Sequence, residues 1–462
     1  MREIDGTPSL FTVAFDLASV GYSVHEYFLG GTARSYTSKG PCEPDGRWDV
    51  APTGEAPFTT RVVVYRPADS RRANGTVAVE WLNVTGGLDV PAVWMATHRH
   101  LVRAGCTWVG VTAQRVGIEG GGVIPGLGLR HTAPDRYEAL DHPGDVFSFD
   151  IFGQSARAAV ETLTARHGVP VECVIAMGAS QSAMHLTTFV NAFDLDDALF
   201  DAYLLQGRSG AAVPIESWNL DRLPPERAFA PAARRARLTG RDHIRADARV
   251  PVLVVQSETD VFGSLRYLPA RQPDSDRFRL WEVAGAAHCD TYFLCASAHD
   301  SGALSPAELA ALVARADDAG VGTELPINSG PQMHYVLQCA IDVLDRWARG
   351  GGAAPAAARL ESDGDGSLVL DELGIARGGL RTPWVDAPVA VLSGLGQPGE
   401  MQELFGTTRV LAPDVLARWY PGGPDEYVER FRAATATAVG QGFLLDADRP
   451  EIEALGAEAW PS

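Results

Sequence analysis

Ser180 stands in Gly178-Ala179-Ser180-Gln181-Ser182, straight after an apolar run at 174–177 and straight before a helix-compatible stretch. A serine that attacks a carbonyl has to project from a sharp strand-to-helix turn, and such a turn tolerates only small neighbours. Gly178, Ala179, Ser182 and Ala183 meet that demand, with serine in the last motif position where glycine is usual. The helix start behind the turn would add a positive dipole and free N–H groups facing a developing oxyanion. An ordinary strand–turn–helix connection carries the same local pattern, so the residues downstream matter.

Two further positions supply what a serine nucleophile needs. A strand at 251–256 runs into Ser257-Glu258-Thr259-Asp260, and a strand at 279–283 runs into Ala284-Gly285-Ala286-Ala287-His288. A carboxylate past one strand would hold the tautomer of a histidine past the next, and that histidine would take the serine proton. Asp260, four residues beyond its strand, is the favoured acid, and Glu258 is the alternative. Two backbone donors must face the oxyanion. One is the N–H of Gln181, after the nucleophile. The other is sought in 82–87, where Thr85 and Val84 are the candidates.

These residues need a sheet to hold them. Short β-branched or aromatic runs at 22–29, 59–65 and 76–81 read as strands. Beyond about residue 91 the pattern alternates. Helices are expected at 92–103, 150–166 and 182–192, and strands at 107–112, 171–177, 202–206, 251–256 and 278–283. Apolar strands separated by helices imply a mainly parallel sheet covered on both faces, an α/β fold. Residues 208–250, rich in Arg, Pro and Ala, are long for a connection and read as an insertion or lid. A capping box at Ser305 opens a helix expected to run to Gly320, and another helix spans 334–349. The stretch 350–357 is Gly, Ala and Pro, and 358–462 reads as an α-rich extension packed on the core. The expected division is 1–207 and 251–350 as core, 208–250 as insertion and 351–462 as extension.

Composition excludes several chemistries. Lys39 is the only lysine among 39 basic residues, against 58 acidic ones, giving a formal charge of −19 over 462 residues. A phosphate loop needs lysine after glycine and a Schiff-base enzyme needs an activated lysine, and Lys39 follows Tyr36-Thr37-Ser38. The charge repels nucleic acid and anionic bilayers, so neither is an expected partner. Neutral or cationic small molecules are the expected substrates, with the arginines of 208–250 as a local exception. Six cysteines without a CxxC pair argue against a zinc knuckle and fit the reduced thiols of a cytoplasmic protein. The N-terminus lacks a signal-peptide pattern, and no run reaches the ~18 apolar residues of a membrane span.

Four features mimic other sites. Glu361–Glu372 has the acidic spacing of a calcium loop but no helix before it, and reads as a polar turn between short strands. His98 and His100 point to different helix faces and make a poor metal pair. The glycines of 117–128 read as a loop at the mouth of the site. His185 and His334 read as packed histidines. No metal is expected.

The segments VEWLNVTGG (79–87), HPGDVFSFDIF (142–152), GASQS (178–182), QSETDVFG (256–263), LWEVAGAAH (280–288) and PINSGPQMHYV (326–336) resemble those of bacterial alpha/beta hydrolase domain proteins. The resemblance spans most of the chain. It implies the α/β-hydrolase fold, with lid-like insertion and C-terminal extension, and an esterase-like serine hydrolase without a cofactor. The substrate would be an ester, thioester or lactone. An acyltransferase using the same three residues and a non-catalytic hydrolase-like binding protein are the alternatives, and a homo-oligomer is compatible with the sequence.

Overall fold

The computed structural model describes residues 1–124, 126–217, 231–317, 320–399 and 401–461. Among the described residues nine strands form one sheet: β1 (Arg2–Ile4), β2 (Tyr22–Ser38), β3 (Val50–Pro67), β4 (Thr76–Trp81), β5 (Thr107–Val111), β6 (Cys173–Ala179), β7 (Ala202–Gln206), β8 (Val252–Ser257) and β9 (Phe278–Val283). Their order is β1-β2-β3-β5-β4-β6-β7-β8-β9. From β5 to β9 every pairing is parallel, and β1 to β3 add an antiparallel edge.

Burial explains why the central strands are apolar on both faces. Every residue of β4, β5, β6 and β8 is buried, since helices cover the sheet on each side. Helix Ser148–His167 packs against β2 and β5, and helix Gln332–Ala348 against β7 and β8. Glu80 is the one charged residue in β4. It accepts from the Val93 and Trp94 N–H groups at the start of helix Ala92–Ala104, and from Trp108 Nε1. It thereby satisfies orphan donors of a buried helix end. Burial pushes its carboxyl up to about 8.

The β2–β3 pair is longer than the sequence pattern predicts, because the ribbon extends beyond the core and loses its apolar signal there. The helix expected to reach Gly320 is shorter, Pro306–Val313, although its capping box is present. Part of the expected insertion, residues 218–230, lies outside the described residues. Within 231–250 the helix Pro231–Leu238 carries the arginine run.

The C-terminal segment joins the sheet rather than hanging from it. Leu380 bridges Val283 in parallel at the β9 edge. Arg271 makes a two-pronged ion pair with Glu282, which also accepts the Leu360 N–H. The extension is α-rich, with helices Pro413–Trp419, Pro424–Gly440 and Arg449–Glu458. The two-stranded sheet of β10 (Ala390–Ser393) and β11 (Thr407–Val410) was not among the expected elements. The calcium-like stretch is a turn between bridged residues Ser362 and Leu368, with Asp363 accepting from the Asp365 and Ser367 N–H groups. No helix among the described residues is long and apolar enough to cross a membrane.

Candidate active site

Ser180 lies between β6 and helix Gln181–Ala192 with φ 58° and ψ −121°. That conformation is costly for a residue with a Cβ and is held only where the surroundings over-determine it. Here they do. The Ser182 hydroxyl accepts from the Ala179 N–H at 2.9 Å and donates to the Ala179 carbonyl at 2.8 Å. The Ser180 N–H donates to the Gln206 carbonyl on β7 at 2.8 Å. A Cβ on Gly178 would stand 3.1 Å from Ser182 and Leu186 atoms. Serine at the last motif position thus replaces glycine with a side chain that staples the turn.

Asp260 and His288 meet across the ends of β8 and β9. Asp260 Oδ1 is 2.6 Å from His288 Nδ1. The other carboxylate oxygen accepts the Ser257 N–H at 2.6 Å, closing a capping box on helix Glu258–Phe262. Both carboxylate oxygens are therefore engaged, and the Asp260 contact is made through Nδ1 of the imidazole, not Nε2. Glu258 bonds other groups. It accepts from the Gly285 N–H at 2.6 Å, the Gly394 N–H at 2.8 Å and the Ser393 hydroxyl at 2.9 Å. Burial pushes its carboxyl up to about 7.

Ser180 and the Asp260–His288 pair flank the same strand end. Gln206 receives the Ser180 N–H, and the next residue, Gly207, has φ 59°. A Cβ on Gly207 would lie 2.9 Å from both Cε1 and Nδ1 of His288 and 3.4 Å from Asp260 Oδ1. Glycine serves both the left-handed turn and the space for the imidazole.

The turn after β4 is tied to the Ser180 turn by Asn83. Its side-chain amide donates to the Ala179 carbonyl at 2.9 Å, and its carbonyl accepts the Thr85 N–H at 2.9 Å. The Thr85 N–H is thereby engaged, which leaves Val84 as the candidate donor of the two. The Gln181 N–H, at the first position of its helix, has no intrahelical acceptor. Behind it, Gln181 Nε2 donates to Gln114 Oε1, which also accepts Trp81 Nε1, and Gln114 Nε2 donates to Asp145.

Sequence reasoning did not single out Asn83, Gly207, Gln114 or Asp145. Asn83 carried a usable signal, standing in the turn after a β4-type strand where a donor loop was already expected. Gly207 carried one too, as a glycine ending a buried strand. The glycine-rich stretch 117–128 differs from the expected loop in its first turn, because helix Arg115–Glu119 buries Val116 and Ile118. Beyond it, the Val123 and Ile124 N–H groups donate to the Thr85 and Gly86 carbonyls, so the stretch does border the turn after β4.

His185, His334 and His98 are buried and packed. His185 stacks on Trp81 with ring centroids 4.8 Å apart, and burial lowers it to about 4. His334 stacks on Tyr292 at 3.8 Å, and burial lowers it to about 3. His98 is buried between the carbonyls of Met95 and Asp300. Asp300, His334 and Glu451 approach one another closely enough to hold an ion. Arg99 already fills that role, donating to Asp300 at 2.7 Å and to Glu451 at 3.1 Å.

The sequence pattern of the alpha/beta hydrolase domain family matches residues 2–454. The chain belongs to that family. The sheet order and the parallel core are those of the α/β-hydrolase fold. No curated protein is detectably similar in sequence. Among solved structures, esterase Est22 overlaps with a TM-score of 0.32 at 12% identity, covering 60% of this chain and 76% of that one. A thermostable esterase from Pseudomonas putida overlaps with a TM-score of 0.30 at 16% identity, covering 65% and 82%. An esterase from Rhizomucor miehei does so with 0.29 at 12%, covering 60% and 80%. The family assignment rests on the sequence pattern, not on these overlaps.

Proposed function

We propose that this alpha/beta hydrolase is a serine hydrolase that cleaves a small ester, thioester or lactone through an acyl-enzyme on Ser180. The observation that carries the reading is the 2.6 Å Asp260–His288 contact beside the strained Ser180 turn, the two sharing the Gln206–Gly207 strand end. Ser180 Oγ attacks the substrate carbonyl and His288 Nε2 takes its proton. The carbonyl oxygen becomes an oxyanion facing the N–H groups of Gln181 and Val84. Collapse breaks the bond to the leaving group, which receives the proton from His288. Water, deprotonated by His288, then attacks the acyl-enzyme and releases the acid, restoring Ser180. Asp260 keeps Nδ1 protonated and stabilises the imidazolium, without itself taking the proton.

Asp260 rather than Glu258 is the proposed acid, a reading supported by its 2.6 Å contact with His288 Nδ1. The chemistry needs no cofactor. The charge of −19 favours neutral or cationic substrates over polyanions. The test is stopped-flow hydrolysis of p-nitrophenyl acetate and butyrate. A burst of p-nitrophenol equal to the enzyme concentration, followed by slower steady turnover, is expected of an acyl-enzyme whose deacylation limits the rate. Absence of both burst and turnover across acyl lengths, by a folded protein, would sink the proposal.

A further inference from the structure

The mechanism leaves Glu258 unused, although it is a fully buried carboxylate two residues from Asp260. Its bonds join three separate parts of the chain. One oxygen takes the Gly285 N–H, inside the loop that ends in His288, and the other takes the Gly394 N–H and the Ser393 hydroxyl at the end of β10. Its own N–H donates to the Ala286 carbonyl. The Gly285 and Gly394 N–H groups can only donate, so each carboxyl oxygen serves one of them as an acceptor.

The same junction is bonded throughout. Thr259 Oγ1 donates to the Gly394 carbonyl at 2.6 Å and accepts the His288 N–H at 3.2 Å, a direct path from the extension to the histidine backbone. Asn328 Nδ2 donates to the carbonyls of Gly285 and Ser393 at 2.8 and 3.0 Å. The Cys289 N–H donates to the Leu404 carbonyl at 2.9 Å. A Cβ on Gly394 would strike the Ala286 carbonyl and the Thr259 nitrogen, so the extension backbone lies directly on the histidine loop. The loop 284–289 is therefore fixed largely by groups outside the sheet that precedes it.

We infer that Glu258 is a positioning residue: it clamps the histidine loop to Ser393 and Gly394 of the C-terminal extension, and so sets where His288 stands relative to Asp260 and Ser180. The extension thereby becomes part of the catalytic scaffold rather than an appendage. This rests on the proposed serine-hydrolase chemistry. Glutamine at this position keeps the shape but turns an amide N–H₂ toward an N–H, so the loop must shift to relieve it. A displacement of about 1 Å remote from the reacting atoms costs up to about 10²-fold in rate.

The test uses the full-length chain and four variants, Ser180→Ala, Glu258→Gln, His288→Ala and the double Glu258→Gln/His288→Ala, assayed on p-nitrophenyl acetate. Glu258→Gln is expected to lower kcat by about 10- to 100-fold with KM within about threefold. In the His288→Ala background the same substitution should change the residual rate by less than about twofold, because its effect passes through His288. A merely structural residue would lower the folded fraction equally in both backgrounds. Wild-type kcat in Glu258→Gln, or an equal further loss in the His288→Ala background, would overturn the inference. If Glu258→Gln does not fold, Ser393→Ala removes one donor only and should lower kcat about three- to tenfold, with the same dependence on His288. Wild-type kcat in Ser393→Ala would then overturn it. Wild-type turnover in Ser180→Ala would overturn the serine-hydrolase reading and this inference together. An inactive Ser180→Ala beside a fully active Glu258→Gln would overturn the clamp alone.

Discussion

The Ser180 turn is closed by a bond within itself and tied to neighbouring strand ends through Asn83 and Gln206, whereas the loop of His288 is held from the C-terminal extension. Ser182 closes on Ala179 three residues away, and the helix that follows begins at once. The histidine loop is held by Glu258, 27 residues before Gly285, and by Gly394, 136 residues beyond Glu258. The conformation of the Ser180 turn depends on its own five residues and on two neighbouring strand ends. The base side depends on the folding of the whole chain, including the C-terminal segment. A defect in the extension should therefore displace His288, the proposed base, while leaving the Ser180 turn intact.

Four substitutions break or sharpen this contrast, in order of expected effect. Asp260→Asn removes the acceptor that fixes the His288 tautomer, and kcat should fall about 10⁴-fold with little change in the melting temperature. If Glu258→Gln lost as much and Asp260→Asn little, the acid assignment would be reversed. On the nucleophile side, Asn83→Ala unties the turn after β4 from the Ala179 carbonyl and frees the Thr85 N–H. Steady-state kinetics should show a kcat loss of about 10²-fold, the cost of a misplaced oxyanion donor. Unchanged kcat would argue that this turn supplies no donor.

Gly207→Ala probes the strand end shared by both sides. A Cβ there would press on the imidazole, so kcat should fall by about 10- to 100-fold while KM moves little. An active Gly207→Ala variant would mean that His288 has room to move aside.

The smallest effect is on stability. Glu80 titrates near 4.5 when unfolded and at about 8 when folded, because burial disfavours its charge. Between those values the folded state holds a proton that the unfolded state has lost, so stability falls as pH rises across that window. Glu258 and Asp290, both pushed up to about 7 by burial, act in the same direction. Calorimetry from pH 5 to 9 should show a falling melting temperature, with a shallower fall in Glu80→Gln. Equal slopes would argue that Glu80 is not the source.

The same contrast explains what could be read from the chain before folding. The strand-to-helix turn at Ser180 was legible because its requirement for small residues is met by its immediate neighbours. Asp260 and His288 were legible as types, each after its own strand, but the sequence left Glu258 open as the acid. Their separation depends on which carboxylate the loop turns toward the imidazole, and that loop is shaped by Ser393 and Gly394. Asn83 was passed over because its value lies in a carbonyl 96 residues away. β10 and β11 have four residues each, too short to give a periodic signal.

Labelling with a fluorophosphonate, followed by peptide mapping of wild type beside Ser180→Ala, tests the central claim most directly. The account expects one adduct per wild-type chain, on Ser180, and none on the variant. Equal labelling of both proteins, or an adduct on another residue, would contradict it.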